Sequence, residues 1–126
     1  MSAGAVAVHD SESGRLKART KSFAVRVIKL FKALPHTPTE QVLGKQLLRA
    51  GTSVSANYRA ACRARSKAEF VSKIALVAEE ADECVHWIEL MIEADLFSET
   101  KVGALLKEAR ELSAIFTASY NTARAK

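Results

Sequence analysis

Residues 66–91, SKAEFVSKIALVAEEADECVHWIELM, decide the fold class of the chain. Apolar side chains recur there at alternating steps of four and three residues: Phe70, Ile74, Val77, Ala81, Cys84, Ile88 and Met91. This spacing places them on one face of an α-helix, as in the seam of a helical bundle. Ser66 and Glu69 form a capping-box pair ahead of the seam, so we predict that the helix starts here.

The flanking segments predict three further helices. A first helix is expected over about residues 16–34. It should end at Leu34, because the position before a proline disfavours helical backbone geometry. The sequence TPTE at residues 37–40 combines a capping threonine, a proline suited to the first helical position and a capping glutamate. It predicts the start of a second helix that runs to about Ala64. Ser98 predicts the start of a fourth helix.

Four amphipathic helices joined by short connections predict an all-α fold, namely an antiparallel up-down-up-down four-helix bundle. Residues 1–15 are rich in Ala, Ser and Gly without a helical period, so we expect a disordered N-terminal arm. Residues 16–126 would then form the bundle domain. The sequence has no run of 18 apolar residues and no visible secretory leader, which predicts a cytoplasmic protein without a membrane partner.

The sequence offers no candidate catalytic constellation. Glu83 and His86 have the Glu-x-x-His spacing of di-iron bundles. Such sites need a second Glu-x-x-His motif and two more inward glutamates, and the sequence has no second motif. There is no phosphate loop, nucleophile elbow or zinc-type Cys/His array. Cys62 and Cys84 are expected to be reduced thiols. We therefore expect a protein that is not an enzyme and has no metal site and no cofactor.

The charge is divided unevenly along the chain, and this is the main functional signal from the residues. Residues 1–73 carry a net charge of +10, whereas residues 74–126 carry −5. Basic side chains on the second helix share the face opposite its apolar stripe and continue past its end. We predict a nucleic-acid-binding surface made of Lys45, Arg49, Arg59, Arg63, Arg65 and Lys67. Its affinity would depend on salt and hardly on sequence. Two alternatives stay open: a solvated face, or a surface covered by the acidic face of a neighbouring subunit in a scaffold or protein-interaction module.

The third helix carries apolar side chains on its outer, mostly acidic face. Leu76, Trp87 and Leu90 lie there, and such a patch is typical of a contact with another chain. We predict an oligomer interface at these three residues, with burial under the N-terminal arm as the alternative.

Ser53 and Asn57 are polar positions in or beside the core stripe of the second helix. Residues 51–55 contain poor helix formers, so a bend or a loosened turn is expected there. We predict that Asn57 is largely buried and bonds to backbone groups freed by that bend, because an unpartnered buried amide is costly. The expected role of both residues is structural.

Residues 49–70, RAGTSVSANYRAACRARSKAEF, resemble the signature of a bacterial four-helix bundle family. The family was first named for proteins encoded by intervening sequences in 23S ribosomal RNA genes. In its pattern, a Ser-Val/Ile-x-Ser/Ala-Asn stretch leads into Arg-Ser-x-x-Glu-Phe, and the matching residues are Ser53, Val54, Ala56, Asn57, Arg65, Ser66, Glu69 and Phe70. The resemblance spans about residues 20–120.

The resemblance implies a homopentamer, a cyclic ring of bundles around a central channel. Relatives of the family include the accessory protein of diversity-generating retroelements, a basic pentamer that partners a reverse transcriptase and binds nucleic acid. The partners implied for this chain are therefore further copies of itself, RNA or DNA, and a reverse transcriptase or other protein. The resemblance supplies no catalytic residues.

Overall fold

A computed structural model describes the backbone of residues 3–126 and the side chains from residue 12 onward. This part of the chain contains four α-helices and no strand: α1 (Ala3–Ala33), α2 (Pro38–Cys62), α3 (Lys67–Glu93) and α4 (Glu99–Ala125). Helices that follow each other in the chain pack side by side, and α1 also meets α4 at a few positions. The predicted all-α four-helix fold is confirmed. None of the described helices is long and apolar enough to cross a membrane.

The starts of α3 and α4 are fixed by serine caps, as predicted. The Ser66 hydroxyl accepts a hydrogen bond from the Glu69 backbone N–H at 3.1 Å. The Ser98 hydroxyl likewise accepts from the Lys101 backbone N–H at 3.2 Å. Each bond satisfies a donor that the first turn of a helix would otherwise leave without a partner.

The start of α2 uses a different arrangement from the predicted capping box. Pro38 occupies the first helical position, as expected. The Thr37 hydroxyl, however, donates to the Glu40 carboxylate instead of accepting from a backbone N–H. The two side chains bond to each other, so the proline and the extended backbone of Thr37 mark this helix end.

The first helix begins at Ala3, earlier than the expected start near residue 16. Residues 3–15 have no amphipathic period, so a search for periodicity misses this segment. From Ser13 onward α1 also has a packing partner, because the Ser13 hydroxyl lies 3.2 Å from Cys62 Sγ at the end of α2. Residues 1–2 of the expected arm lie outside the described residues. The division of the chain into an arm (1–15) and a bundle domain (16–126) stays a prediction.

The core is built from the apolar faces of all four helices. The seam predicted for α3 is fully buried from Ile74 to Met91, and Phe70 packs against it partly buried. Tyr58 of α2 meets Phe116 of α4 with ring centroids 5.1 Å apart. Such tilted aromatic contacts add to the free energy gained by burying apolar area.

Two glycines allow α1 to approach α2 closely. A Cβ atom at Gly51 would lie 3.0 Å from both γ-methyl groups of Val27, and one at Gly44 would lie 2.9 Å from Phe31 Cδ1. Because carbon atoms pack at about 3.5–4.0 Å, a side chain at Gly51 would force Val27 to shift, and one at Gly44 would force Phe31 and Leu34 to shift. By contrast, a Cβ atom at Gly103 of α4 would meet only Glu99 Cγ, at 3.9 Å.

We predict opposite effects for alanine at Gly51 and at Gly103. Gly103→Ala should raise the free energy of unfolding by about 0.5–1 kcal/mol, because alanine favours helix and has space there. Gly51→Ala should lower it by about 1 kcal/mol, because overpacking against Val27 outweighs the gain in helix propensity. Urea unfolding followed by circular dichroism at one protein concentration measures both. Stabilisation by Gly51→Ala would show that the α1–α2 contact is looser than described.

Candidate nucleic-acid interface

Arg49, one of the predicted nucleic-acid-binding residues, is bound to α3 of its own chain. Its Nη1 donates to Glu80 at 2.9 Å, and its Nη2 donates to Glu83. Glu80 is only 8% exposed, and a carboxylate at that depth needs a cationic partner. The guanidinium of Arg49 therefore holds α2 against α3. Arg49 is not part of the interface proposed below.

Glu83 links the same ion pair to Trp87. The indole Nε1 of Trp87 donates to Glu83 at 3.0 Å. Burial alone would raise the pKa of Glu83, but the hydrogen bonds from Trp87 and Arg49 hold the pKa below its ordinary value of 4.5. The ionised form of Glu83 is thus favoured by the fold.

We predict that this carboxylate makes the protein less stable in acid. Its pKa is lower in the folded than in the unfolded chain, so its contribution is present above pH 4.5 and is lost as the pH falls below it. Glu83→Gln should therefore reduce the loss of unfolding free energy between pH 6 and pH 3 by about 1 kcal/mol. Thermal unfolding across this range is the measurement.

The matched control for the acid experiment is Glu93→Gln, a substitution of an exposed glutamate on the same helix. This variant should follow the wild-type pH dependence. Equal curves for wild type and Glu83→Gln would mean that Glu83 does not contribute to the acid sensitivity.

The predicted oligomer residues differ in how far they face solvent. Leu76 is 39% exposed and is the most accessible of the three. Leu90 is half-buried. Trp87 is also half-buried, and it packs against the core of its own chain, where its ring meets His86 edge-on with centroids 4.9 Å apart. The sequence predicted Trp87 on the outer, mostly acidic face, whereas the structure half-buries it against its own chain.

Ser53 and Asn57 bond to each other within α2. Asn57 is half-buried, and its Nδ2 donates to the Ser53 carbonyl oxygen at 3.0 Å and to the Ser53 hydroxyl at 2.8 Å. Helix α2 continues without interruption through residues 51–55, so the predicted loosened turn is not present there. The amide finds its partners one turn earlier in an intact helix.

The described residues contain no cluster of three His, Cys, Asp or Glu side chains that could hold a metal ion. Both cysteines are free: Cys62 is exposed and Cys84 is buried. Burial, with the nearby Glu80 and Glu83 charges, raises the pKa of Cys84 to about 12, so its thiol stays protonated at neutral pH.

A group of cations from three helices forms a surface that we call the basic platform. One groove, between α1 and α2, is lined by Lys17 and Lys21 of α1 and by Arg59 of α2. A second groove, between α2 and α3, is lined by Arg59 again, with Arg63 and with Lys73 of α3. The basic platform is defined as these five residues.

The other predicted basic residues lie at the edges of the basic platform or away from it. Lys45 is exposed, but it lies fourteen residues from Arg59 along α2, which is about 21 Å. Arg65 and Lys67 are exposed in and after the short connection from α2 to α3. Arg65 approaches the Glu69 carboxylate at 3.9 Å.

Three residues of the basic platform were missed from the sequence: Lys17, Lys21 and Lys73. They lie on helices other than the one that carried the predicted stripe. The four-residue spacing of the two α1 lysines places both on one helix face, which was a usable signal. Identifying them also required knowing which face of α1 meets α2, and that depends on tertiary packing.

The four-helix fold and its polybasic surface define the class to which the chain belongs, that of small helical-bundle proteins with a basic face. The family model of the 23S rRNA-intervening sequence proteins matches residues 15–118, and the chain belongs to this family. The resemblance carried by residues 49–70 is thereby confirmed.

A solved structure agrees with the family assignment. It is a protein of unknown function from the S23 ribosomal protein family of Bacteroides thetaiotaomicron, to which the chain is 32% identical. The superposition has a TM-score of 0.77 and covers 83% of this chain and 97% of that chain. No curated protein matches the chain.

Proposed function

We propose that the chain is a cytoplasmic, non-enzymatic four-helix bundle protein that assembles as a homopentamer and binds RNA or DNA through the basic platform. The observation that carries the nucleic-acid proposal is the convergence of five cations on two adjoining grooves, four of them from three helices and Arg63 from the C-terminal cap of α2. Among the described residues that line these grooves, Glu69 is the one acidic side chain.

The electrostatics of this surface suit a polyanion. Lys17, Lys21, Arg59 and Arg63 are exposed, so their charges are available to a ligand that approaches from solvent. Such cations displace counterions from phosphates, which makes association strong at low salt and weak at moderate salt. The net charge of +10 on residues 1–73 adds a long-range attraction for a polyanion.

The proposed assembly begins from an antiparallel subunit. Along the α1–α2 contact, Gly44 near the start of α2 faces Phe31 near the end of α1. At the other end of the contact, Cys62 faces Ser13. Residue numbers therefore rise on one helix as they fall on its neighbour, which supports the antiparallel up-down-up-down arrangement. The pentameric state rests on the resemblance to the family.

We place the contact between subunits at the predicted surface of Leu76, Trp87 and Leu90. The exposure of Leu76 supports this assignment, because a leucine on a charged helix face gains free energy when a neighbour covers it. A cyclic ring requires two different faces to meet, and that suits a chain whose halves carry opposite charge. The acidic residues of α3 would then face basic residues of the next subunit.

We predict steeply salt-dependent binding of mixed-sequence RNA, measured by fluorescence anisotropy. If all five cations contact a single strand, the plot of log affinity against log salt should have a slope of about −3.5. The double variant Lys17→Gln/Arg63→Gln should make this slope shallower by about 1.4 and weaken binding at every salt concentration.

The matched control for RNA binding is Lys29→Gln/Lys107→Gln, which removes the same charge from exposed positions outside the two grooves. It should bind nearly as the wild type does. A wild-type protein that retains neither RNA nor DNA at low salt would refute the nucleic-acid proposal.

The second candidate function is a scaffold or interaction module without nucleic-acid binding. The Arg49 ion pair favours it, because it shows acidic residues of α3 neutralising part of the predicted basic stripe within one chain. If neighbouring subunits neutralised the basic platform in the same way, the assembled protein would bind no RNA while the variant Lys17→Gln/Arg63→Gln would assemble less tightly.

We predict that Leu76→Glu yields smaller species in sedimentation velocity while the far-ultraviolet circular dichroism is unchanged. The introduced carboxylate would have to be buried next to an acidic face, which opposes association. Leu76 is a sharper test than Trp87, because Trp87 also packs on its own core. The control is Val25→Glu, which changes a valine that is 43% exposed on α1. An assembled Leu76→Glu protein would contradict the placement of this interface.

A further inference from the structure

Arg59 is the residue that the two grooves of the basic platform have in common. On one side of it lie Lys17 and Lys21 of α1, and on the other lie Arg63 and Lys73. The cations thus form a path that crosses α2 at Arg59. A flexible anionic chain laid over α2 can contact charges on both sides without leaving the surface.

The floors of both grooves are made of small side chains. The α1–α2 groove has three alanines, a serine and a threonine between its cations: Ala18, Ala24, Thr52, Ser55 and Ala56. The α2–α3 groove shares Ala56 and adds Ala60. Because these residues are small, the longer lysine and arginine side chains extend beyond them, and a phosphate can approach the cations closely.

None of the described residues that line either groove is aromatic. Tyr58 precedes Arg59 in the sequence, but it is buried against Phe116 inside the bundle. Base stacking on aromatic rings is the usual source of base-dependent affinity for single strands. The surface has charges for phosphates and lacks a stacking platform for bases.

We propose that the basic platform is a phosphodiester-backbone site in which the strand crosses α2 and Arg59 is the central phosphate ligand, with the bases turned to solvent. The inference rests on the proposed function and names the part of the nucleic acid that is recognised. The planar guanidinium of Arg59 can donate two parallel hydrogen bonds to a phosphate, whereas the lysines act as point charges.

The carboxylate of Glu69 lines the second groove and repels phosphate. Arg65 lies 3.9 Å from it, but its side chain is 89% exposed, so this surface ion pair offsets only part of the repulsion. The outer part of the second groove is therefore less attractive to phosphate than the part next to Arg59. This places the centre of the site at Arg59 and not at the α2–α3 connection.

The test compares three labelled strands of equal length: mixed-sequence RNA, mixed-sequence DNA, and an abasic deoxyribose-phosphate strand. Affinities are measured by anisotropy at one low salt concentration on the assembled protein. We expect the affinity for the abasic strand to lie within about twofold of the affinity for the DNA. The affinity for the RNA should lie within about threefold of the affinity for the DNA. One stacked base would cost the abasic strand about fivefold or more.

Variants at Arg59 test the assignment of the central ligand. Arg59→Gln should weaken all three strands alike, by about five- to tenfold, and make the salt slope shallower by about 0.7. Arg59→Lys should keep the slope and lose part of the affinity, because the bidentate fork is gone. The control is Arg26→Gln, which changes an exposed arginine of α1 that lines neither groove. Circular dichroism verifies that each variant is folded.

The outcomes separate this inference from the proposed function. An abasic strand that binds about fivefold or more weakly than the DNA, or an Arg59→Gln protein that binds as the wild type does, overturns the backbone-site inference and leaves nucleic-acid binding in place. A wild-type protein that binds none of the three strands refutes both.

Discussion

The close approach of α1 to α2 is the constraint on which the candidate site depends. It is possible because Gly44 and Gly51 present no side chain to Phe31 and Val27. The short distance between the helices brings the α1 lysines beside Arg59 and gives the groove between them a floor of small residues. The packing of two helices thus determines where the charges lie.

Arg49 and Arg59 show how one helix face is divided between structure and surface. The sequence places both on the same side of α2, and the difference arises from what α3 presents to each. Opposite Arg49, α3 carries the buried Glu80, and the guanidinium neutralises it. Near Arg59, α3 carries Lys73, which cannot pair with an arginine and instead adds to its positive potential. The charge pattern of α3 therefore selects which part of the predicted stripe stays open.

Features that depend on neighbouring residues in the chain could be predicted from the sequence, and features that depend on packing could not. The α3 seam follows from apolar spacing, and the Ser66 and Ser98 caps follow from side chains next to the helix ends. The start of α1 was missed because residues 3–15 show no helical period to detect. The pairing of Arg49 and the place of Lys73 depend on the register between α2 and α3. Helical spacing on a single segment cannot supply that register.

The net charge of residues 1–73 is larger than the charge available on the basic platform, because acidic residues of α4 neutralise part of it. Arg19 lies between Lys17 and Lys21 in the sequence, yet two residues along a helix turn its side chain by about 200° toward α4. There its Nε and Nη2 each donate to Glu108 at 2.8 Å, and Nη2 also donates to Glu111 at 2.8 Å.

The hydrogen bonds to Glu108 hold the pKa of Arg19 above its ordinary value, as expected for a guanidinium between two carboxylates. This ion pair joins α1 and α4, the neighbouring helices with the sparsest contact. Together with the buried Phe23 and Val27, it orients α1 about its axis. This orientation directs Lys17 and Lys21 toward α2. The ion pair of Arg19 thus helps to position the two lysines that remain available to a ligand.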